Sequence, residues 1–292
     1  MAKAAPTKPT SKGKPDADED KKKKGQSNLP AVQGTTQRGV VKASAQEIEE
    51  FEGDRSGFEN VKTSDLIIPR LKLLQKLSPQ CDKDDEKYVD GAEPGMFYDF
   101  STGDLFEGEL ELIACHYVLE HLEWAPRETG KGLVMNHGAS SAIMRKTTMD
   151  EKRKNWLPNG NQIIETAEYY VLNMTVGGRR SFLPLQSTGL TASRNWLTAM
   201  NNITIEKPNG DTFHPPLYYK SWIADRQLLS NESGKWYNWV FKPGKTILEL
   251  DPSKELLKEA RDFHEQAVEG LVKGDVGDDQ EGQQSRDPSG KM

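Results

Sequence analysis

Residues 110–122 constrain the fold more than any other stretch of this chain. Leu110, Leu112, Ile113, Tyr117, Val118, Leu119 and Leu122 fall in a run that neither Gly nor Pro interrupts. Such a run predicts a long strand, half to fully buried. Two hairpins follow it. Residues 169–176 and 179–185 read as strands joined by Gly177-Gly178, the two-residue signal for a primed turn. Residues 217–229 and 235–241 read as a second pair around a longer loop, Asn231-Glu232-Ser233-Gly234.

The remaining elements are arranged around these strands. Pro69 disfavours helix at Ile68, so residues 67–75 begin extended. Beyond Pro69 a short strand and a helical turn both fit. Glu93-Pro94-Gly95-Met96 marks a turn before Phe97, Tyr98 and Phe100. Between the hairpins, Leu190, Ser193, Leu197 and Met200 share one helical face with Trp196 beside them. Thr188 or Ser187 can cap that helix, and Asn201-Asn202 ends it. A last helix is framed by Asp251 as N-cap, Pro252 at the first helical position and Gly274 at the far end. Its apolar stripe is Leu256, Leu257, Ala260, Phe263, Ala267, Val268 and Leu271.

The termini cannot contribute a core. The first sixty residues are Lys, Ala, Pro, Ser, Gly and acidic residues, with four lysines from Lys21 to Lys24 following Asp16, Asp18, Glu19 and Asp20. Too little apolar surface is available there to offset the entropy of ordering. The expected organisation is a disordered tail over 1–60, a β-barrel core over 61–250, an amphipathic helix over 251–274 and a disordered acidic tail over 275–292. Two cysteines argue against a disulfide-stapled secreted module. No apolar run approaches the ~18 residues of a membrane span, and no signal-peptide stretch opens the chain. The expected location is the cytoplasm.

The net charge of −6 conceals blocks of opposite sign. Residues 61–124 carry six basic and 14 acidic side chains, a net −8. Residues 125–245 carry 16 basic and nine acidic ones, a net +7, and a polyanion responds to such a local field. No Gly-rich phosphate loop, Ser elbow or four-ligand zinc spacing is present, although His116 and His121 lie near Cys115 and His137 follows. The sequence therefore points to a binding protein with no cofactor rather than to an enzyme.

Within the basic block, aromatic and cationic residues interleave. Single-strand binders need both, because cations track phosphates while flat rings stack on unpaired bases. The candidate contacts are Arg145, Lys146, Lys152, Arg153, Lys154 and Trp156 in a long basic loop, and Arg179 and Arg180 at a hairpin tip. Tyr219, Trp222, Lys235, Trp236, Tyr237 and Trp239 complete the set on the second hairpin. Alternation puts Trp236 and Trp239 on opposite faces of one strand, so one of the two is the candidate platform. A small barrel also needs aromatics for its own core, and that use competes for the same rings.

Four segments carry a resemblance. They are 65–75 (Asp-Leu-Ile-Ile-Pro-Arg-Leu-Lys-Leu-Leu-Gln), 91–97 (Gly-Ala-Glu-Pro-Gly-Met-Phe), 183–190 running into Ser193-Arg194-Asn195-Trp196, and Glu232 to Tyr237. This pattern resembles a family of tailed-phage early proteins similar to phage single-stranded DNA-binding proteins of the oligonucleotide-binding barrel type. The fold expected is all-β with added helices: a small Greek-key barrel with one helix between hairpins and another at the C-terminal end. The resemblance implies sequence-independent binding of single-stranded DNA in phage replication or recombination. A phage structural or assembly protein using the barrel for protein contacts is the alternative. The acidic tail reads either as a solvated end or as a segment that recruits phage replication or recombination proteins.

Overall fold

The computed structural model of the chain describes residues 44–52, 57, 59, 68–232 and 234–274. Within the expected N-terminal tail it places a helix, α1 (Ala45–Phe51), with no buried residue. The cause is local. Ser44 and Glu47 satisfy each other's backbone N–H groups in a reciprocal capping box. Residues 1–43, 53–56, 58, 60–67, 233 and 275–292 lie outside the described residues, and with them most of the expected N-terminal tail and all of the expected C-terminal one.

Three short strands, β1 (Leu71–Leu73), β2 (Phe97–Asp99) and β3 (Leu105–Phe106), form a small antiparallel sheet. Gly95 leads into β2 at φ +95°, and a Cβ there would lie 2.9 Å from the Tyr237 ring. Both the backbone and the close approach require glycine.

The main sheet has eight strands. They are β4 (Leu110–Trp124), β5 (Leu133–Asn136), β6 (Thr148–Met149), β7 (Asn155–Trp156), β8 (Gln162–Asn173) and β9 (Arg179–Gln186). After helix α2 (Gly189–Asn201) and a small hairpin, β10 (Ile205–Glu206) and β11 (Thr212–Phe213), come β12 (Lys220–Asn231) and β13 (Gly234–Thr246). Helices α3 (Ile247–Leu250) and α4 (Glu255–Val268) complete the described chain.

β4 and β8 pair antiparallel from Leu112↔Asn173 to Trp124↔Gln162, with an irregularity at Cys115. Each strand changes its other neighbour part-way. β12 takes the first end of β4 and β5 the last, while β7 takes the first end of β8 and β9 the last. The sheet curls into a half-barrel. Residues 69–75 contact both of its far strands. The Phe182 N–H donates to the Pro69 carbonyl at 2.7 Å. The Gln75 amide donates to the Tyr237 carbonyl at 3.0 Å and accepts from the Tyr237 N–H at 2.9 Å, imitating a strand neighbour.

The hairpin loops invert the sequence expectation. Gly177 and Gly178 both have positive φ, but they end a five-residue connection in which Met174–Val176 form a 3-10 turn. The Asn173 side chain accepts from the Thr175 N–H and starts that turn. The second loop is the tighter one, because Asn231 pairs directly with Gly234.

Aromatic rings fill the half-barrel. Trp196 stacks on Phe241 at 3.9 Å and 6°, and on Tyr169 at 4.5 Å; Trp239 lies 4.7 Å from Phe97. Trp196, beside the expected face of α2, is its centre. Across the sheet, Phe263 and Ala260 of α4 bury Ile113, Cys115, Leu172 and Phe182. Asp251 holds the start of α4 by accepting from the Leu256 N–H at 2.7 Å, though the helix itself begins at Glu255 and ends at Val268. Val268 and Leu271, expected in the buried stripe, are exposed.

Candidate nucleic-acid interface

The curled sheet separates the residues that the sequence interleaves. Trp222 and Trp239, at 2 % and 8 % exposure, belong to the core, so neither is a surface platform. The Trp236/Trp239 alternation resolves with Trp239 inward and Trp236 half-buried opposite Leu229. Tyr237 is occupied by Gln75 and Gly95. Tyr219 sits half-buried in a 3-10 turn, and Lys235 is exposed beside the β12–β13 loop.

Arg179 and Arg180 do not form a free basic tip. Arg179 reaches Asp104 at 2.8 Å and Asp99 at 3.6 Å, two carboxylates with no exposed surface. Burial raises the Asp99 pKa above the usual carboxylate range, against hydrogen bonds from Thr102 and the charge of Arg179. The pairing ties β9 to the turn between β2 and β3. Arg180 donates to Glu259 at 2.6 Å and to Gln266 at 2.8 Å, with its guanidinium 4.9 Å from the Phe263 ring. Both arginines hold the fold together because the register sets acids opposite them, which spacing alone does not reveal.

The long basic loop is ordered as an arm. The distal halves of β4 and β8 carry β5 on one side and β7 then β6 on the other. Residues 125–161 hold seven basic and three acidic side chains, a net +4. Arg145 and Lys146 end a 3-10 turn, while Lys152, Arg153 and Lys154 lie in the β6–β7 loop. Arg145, Lys146 and Arg153 are exposed and make no ion pair among the described residues.

One carboxylate organises the loop. Asp150 accepts from the Lys154 N–H at 2.7 Å and from the Trp156 indole N–H at 2.9 Å. Those two bonds, the backbone one first, lower its pKa. Arg153 takes the left-handed conformation, φ 61°, that lets the loop turn. Trp156 is left half-buried with its only polar atom engaged, so its ring face is the surface it can offer.

A family model described as Pam3 phage gp34-like protein matches residues 35–273. The chain belongs to that family. It is a phage protein, as the resemblance in the sequence implied. No curated protein and no solved structure matches it. Among the described residues of this family member, no helix is long and apolar enough to cross a membrane. None of their His, Cys, Asp and Glu side chains group to hold a metal ion.

Two titratable clusters escaped the sequence reading. Glu168, 5 % exposed, lies beside Glu120; burial first, then the neighbouring charge and a shared hydrogen bond, push its pKa up to about 8. Glu120 also accepts from Asn136. At the arm's root, Glu123 accepts from His137 at 2.7 Å and from Asn159 and Asn161. Burial opposes its ionisation, and these bonds outweigh burial and lower its pKa. The signal lies in the β4–β8 pairing, since Glu120 and Glu168 are diagonal neighbours across it.

Proposed function

We propose that this phage protein binds single-stranded DNA without sequence preference, in replication or recombination, through the basic arm. The observation that carries the reading is the set of exposed cations, Arg145, Lys146 and Arg153, on the segment that holds Trp156 by its indole N–H. Cations of this kind track phosphates, and a ring without a free donor stacks on any base rather than reading its edge. With the short strands β5–β7 set aside as an insert between β4 and β8, the order β12–β4–β8–β9 returns a fourth long strand beside the first of the other three. That Greek-key connectivity supports an oligonucleotide-binding type of barrel.

The test is a titration of the full chain with oligo-dT and with duplex of equal length at two salt concentrations. Oligo-dT is expected to bind tighter and to quench Trp fluorescence. Arg145→Glu and Arg153→Glu should each flatten the salt slope by about one unit. Equal affinity for duplex, or no binding at low salt, refutes the reading. One observation favours the assembly alternative. Val134, Met135 and Met149, about half exposed or more, lie on the edge strands β5 and β6 of the same arm. Salt-insensitive association with another phage protein, without DNA binding, would favour it.

A further inference from the structure

A groove of about 590 Å³ opens between the last turns of α2 and the chain leading into β12, using no residue of the arm. A volume of this size suits a small organic ligand. Met200, Pro215 and Pro216 supply apolar wall, while Thr198, Asn201 and His214 supply the polar groups. Apolar walls with a few polar side chains fit a flat, partly polar molecule.

The polar groups narrow its chemistry. His214 Nδ1 lies 3.2 Å from the Ile203 carbonyl oxygen, a hydrogen bond only when Nδ1 carries the proton. In the neutral ring Nε2 is then an acceptor. The Thr198 hydroxyl donates to the Arg194 carbonyl at 2.7 Å, so it too has only lone pairs left to offer. The Asn201 amide has no partner among the described residues and offers an acceptor oxygen beside its N–H donors, the pair that matches an amino group next to a ring nitrogen. The groove lies at the C-terminal end of α2, where the helix dipole disfavours anions. Just before His214 in the chain, Phe213 is 41 % exposed, and the Lys207 ammonium lies 5.8 Å from its ring centroid.

We propose that this groove binds one uncharged heterocycle bearing an amino group, such as adenine or cytosine, with any phosphate left outside near Lys207. The base arrives either as a free nucleoside or as part of a strand. The amino group donates to the acceptor set, and the ring lies against the Met and Pro walls.

The experiment follows the Met200 methyl and His214 ring signals of the full chain by NMR. Probes are adenosine, thymidine, adenosine 5′-monophosphate and oligo-dA. Adenosine is expected to move both signals and to outcompete thymidine, and the monophosphate to bind no tighter than adenosine. His214→Phe keeps a ring and removes the acceptor. It should weaken binding about three- to tenfold, the effect of one hydrogen bond, while loss of the exposed bond to Ile203 lowers the unfolding midpoint only slightly. Movement with oligo-dA alone assigns the base to a strand and upholds the site. The proposal is overturned if neither adenosine nor oligo-dA moves the signals, if thymidine competes equally, if the monophosphate binds tighter, or if His214→Phe binds unchanged. Oligo-dT has no amino-bearing base, so its salt-dependent binding to the arm succeeds or fails separately.

Discussion

β4 and β8 run through two regions and do opposite work in them. At one end the pair is closed on both faces. Leu110, Leu112, Ala114, Tyr169 and Val171 point into the aromatic interior, while Ile113, Cys115 and Leu172 lie under α4. Past the irregularity at Cys115 the same strands carry the arm, whose cations face solvent and whose edge strands expose Val134, Met135 and Met149. Rings and cations alternate along the chain, yet most rings go inward, while many of the cations go to the arm or into ion pairs. Composition of a block therefore says what a surface can contain, and register says what it does contain.

The largest expected contrast lies in stability. Trp196 is 1 % exposed and stacked between Tyr169 and Phe241. Trp196→Ala should lower stability by about 3–5 kcal/mol in urea unfolding, through lost burial and an unfilled cavity. Arg145→Glu in the arm should stay within about 0.5 kcal/mol. Comparable losses would mean that arm and core are one cooperative packing unit.

Next is Arg179, which the sequence marked as a surface contact. Arg179→Glu removes the cation that Asp99 and Asp104 share and adds a third negative group, so a loss of about 3 kcal/mol is expected. Its salt slope for oligo-dT should remain that of the native chain. A flattened slope with native stability would return Arg179 to the interface.

The contrast also has a pH signature. The folded-state pKa of Glu168 is raised from about 4.5 to about 8, so the folded chain binds the extra proton between those values. This stability is fully present below pH 4.5 and is lost as pH rises toward 8, by as much as about 1.4 kcal/mol per pH unit. Glu168→Gln keeps a donor toward Glu120 and should flatten the decline, with its gain largest above pH 8. Parallel pH profiles for both proteins would place the titration elsewhere.

How far the sequence could reach is clearest in its failures. β4 was legible because an uninterrupted run of β-formers leaves few alternatives, and both hairpins were legible from their turn residues. Their loop lengths were not. The glycines at 177 and 178 announce positive φ, but the Asn173 side chain that starts a 3-10 turn before them is visible only in three dimensions. Trp196 was placed beside its helix face because Leu190 and Leu197 drew the predicted stripe toward themselves. In the sequence the arm has the look of a loop because β6 and β7, two residues each, are too short to show a period. The bond from Trp156 to Asp150 spans only six residues and was within reach, since an acid at a hairpin tip commonly accepts from nearby N–H groups.

The smallest contrast separates two half-buried tryptophans. Trp156 belongs to the arm, its N–H bonded to Asp150 and three exposed cations on the same segment. Trp236 lies on the β12–β13 hairpin opposite Leu229, its indole N–H buried without a partner among the described residues and Lys235 beside it. Sequence alternation put Trp236 forward, whereas the surroundings favour Trp156, because stacking needs phosphate-tracking cations within reach of the same strand. Trp156→Ala should weaken oligo-dT binding by about 1–3 kcal/mol, the value of one stacked base. Trp236→Ala should change affinity by less than about 0.5 kcal/mol while removing part of the native fluorescence. Asp150→Asn keeps one acceptor oxygen, enough for the indole or the Lys154 N–H but not for both, so its affinity should fall between that of the native chain and that of Trp156→Ala. If Trp236→Ala carries the loss and Trp156→Ala does not, single-strand binding lies on the hairpin, and the arm's cations serve another contact.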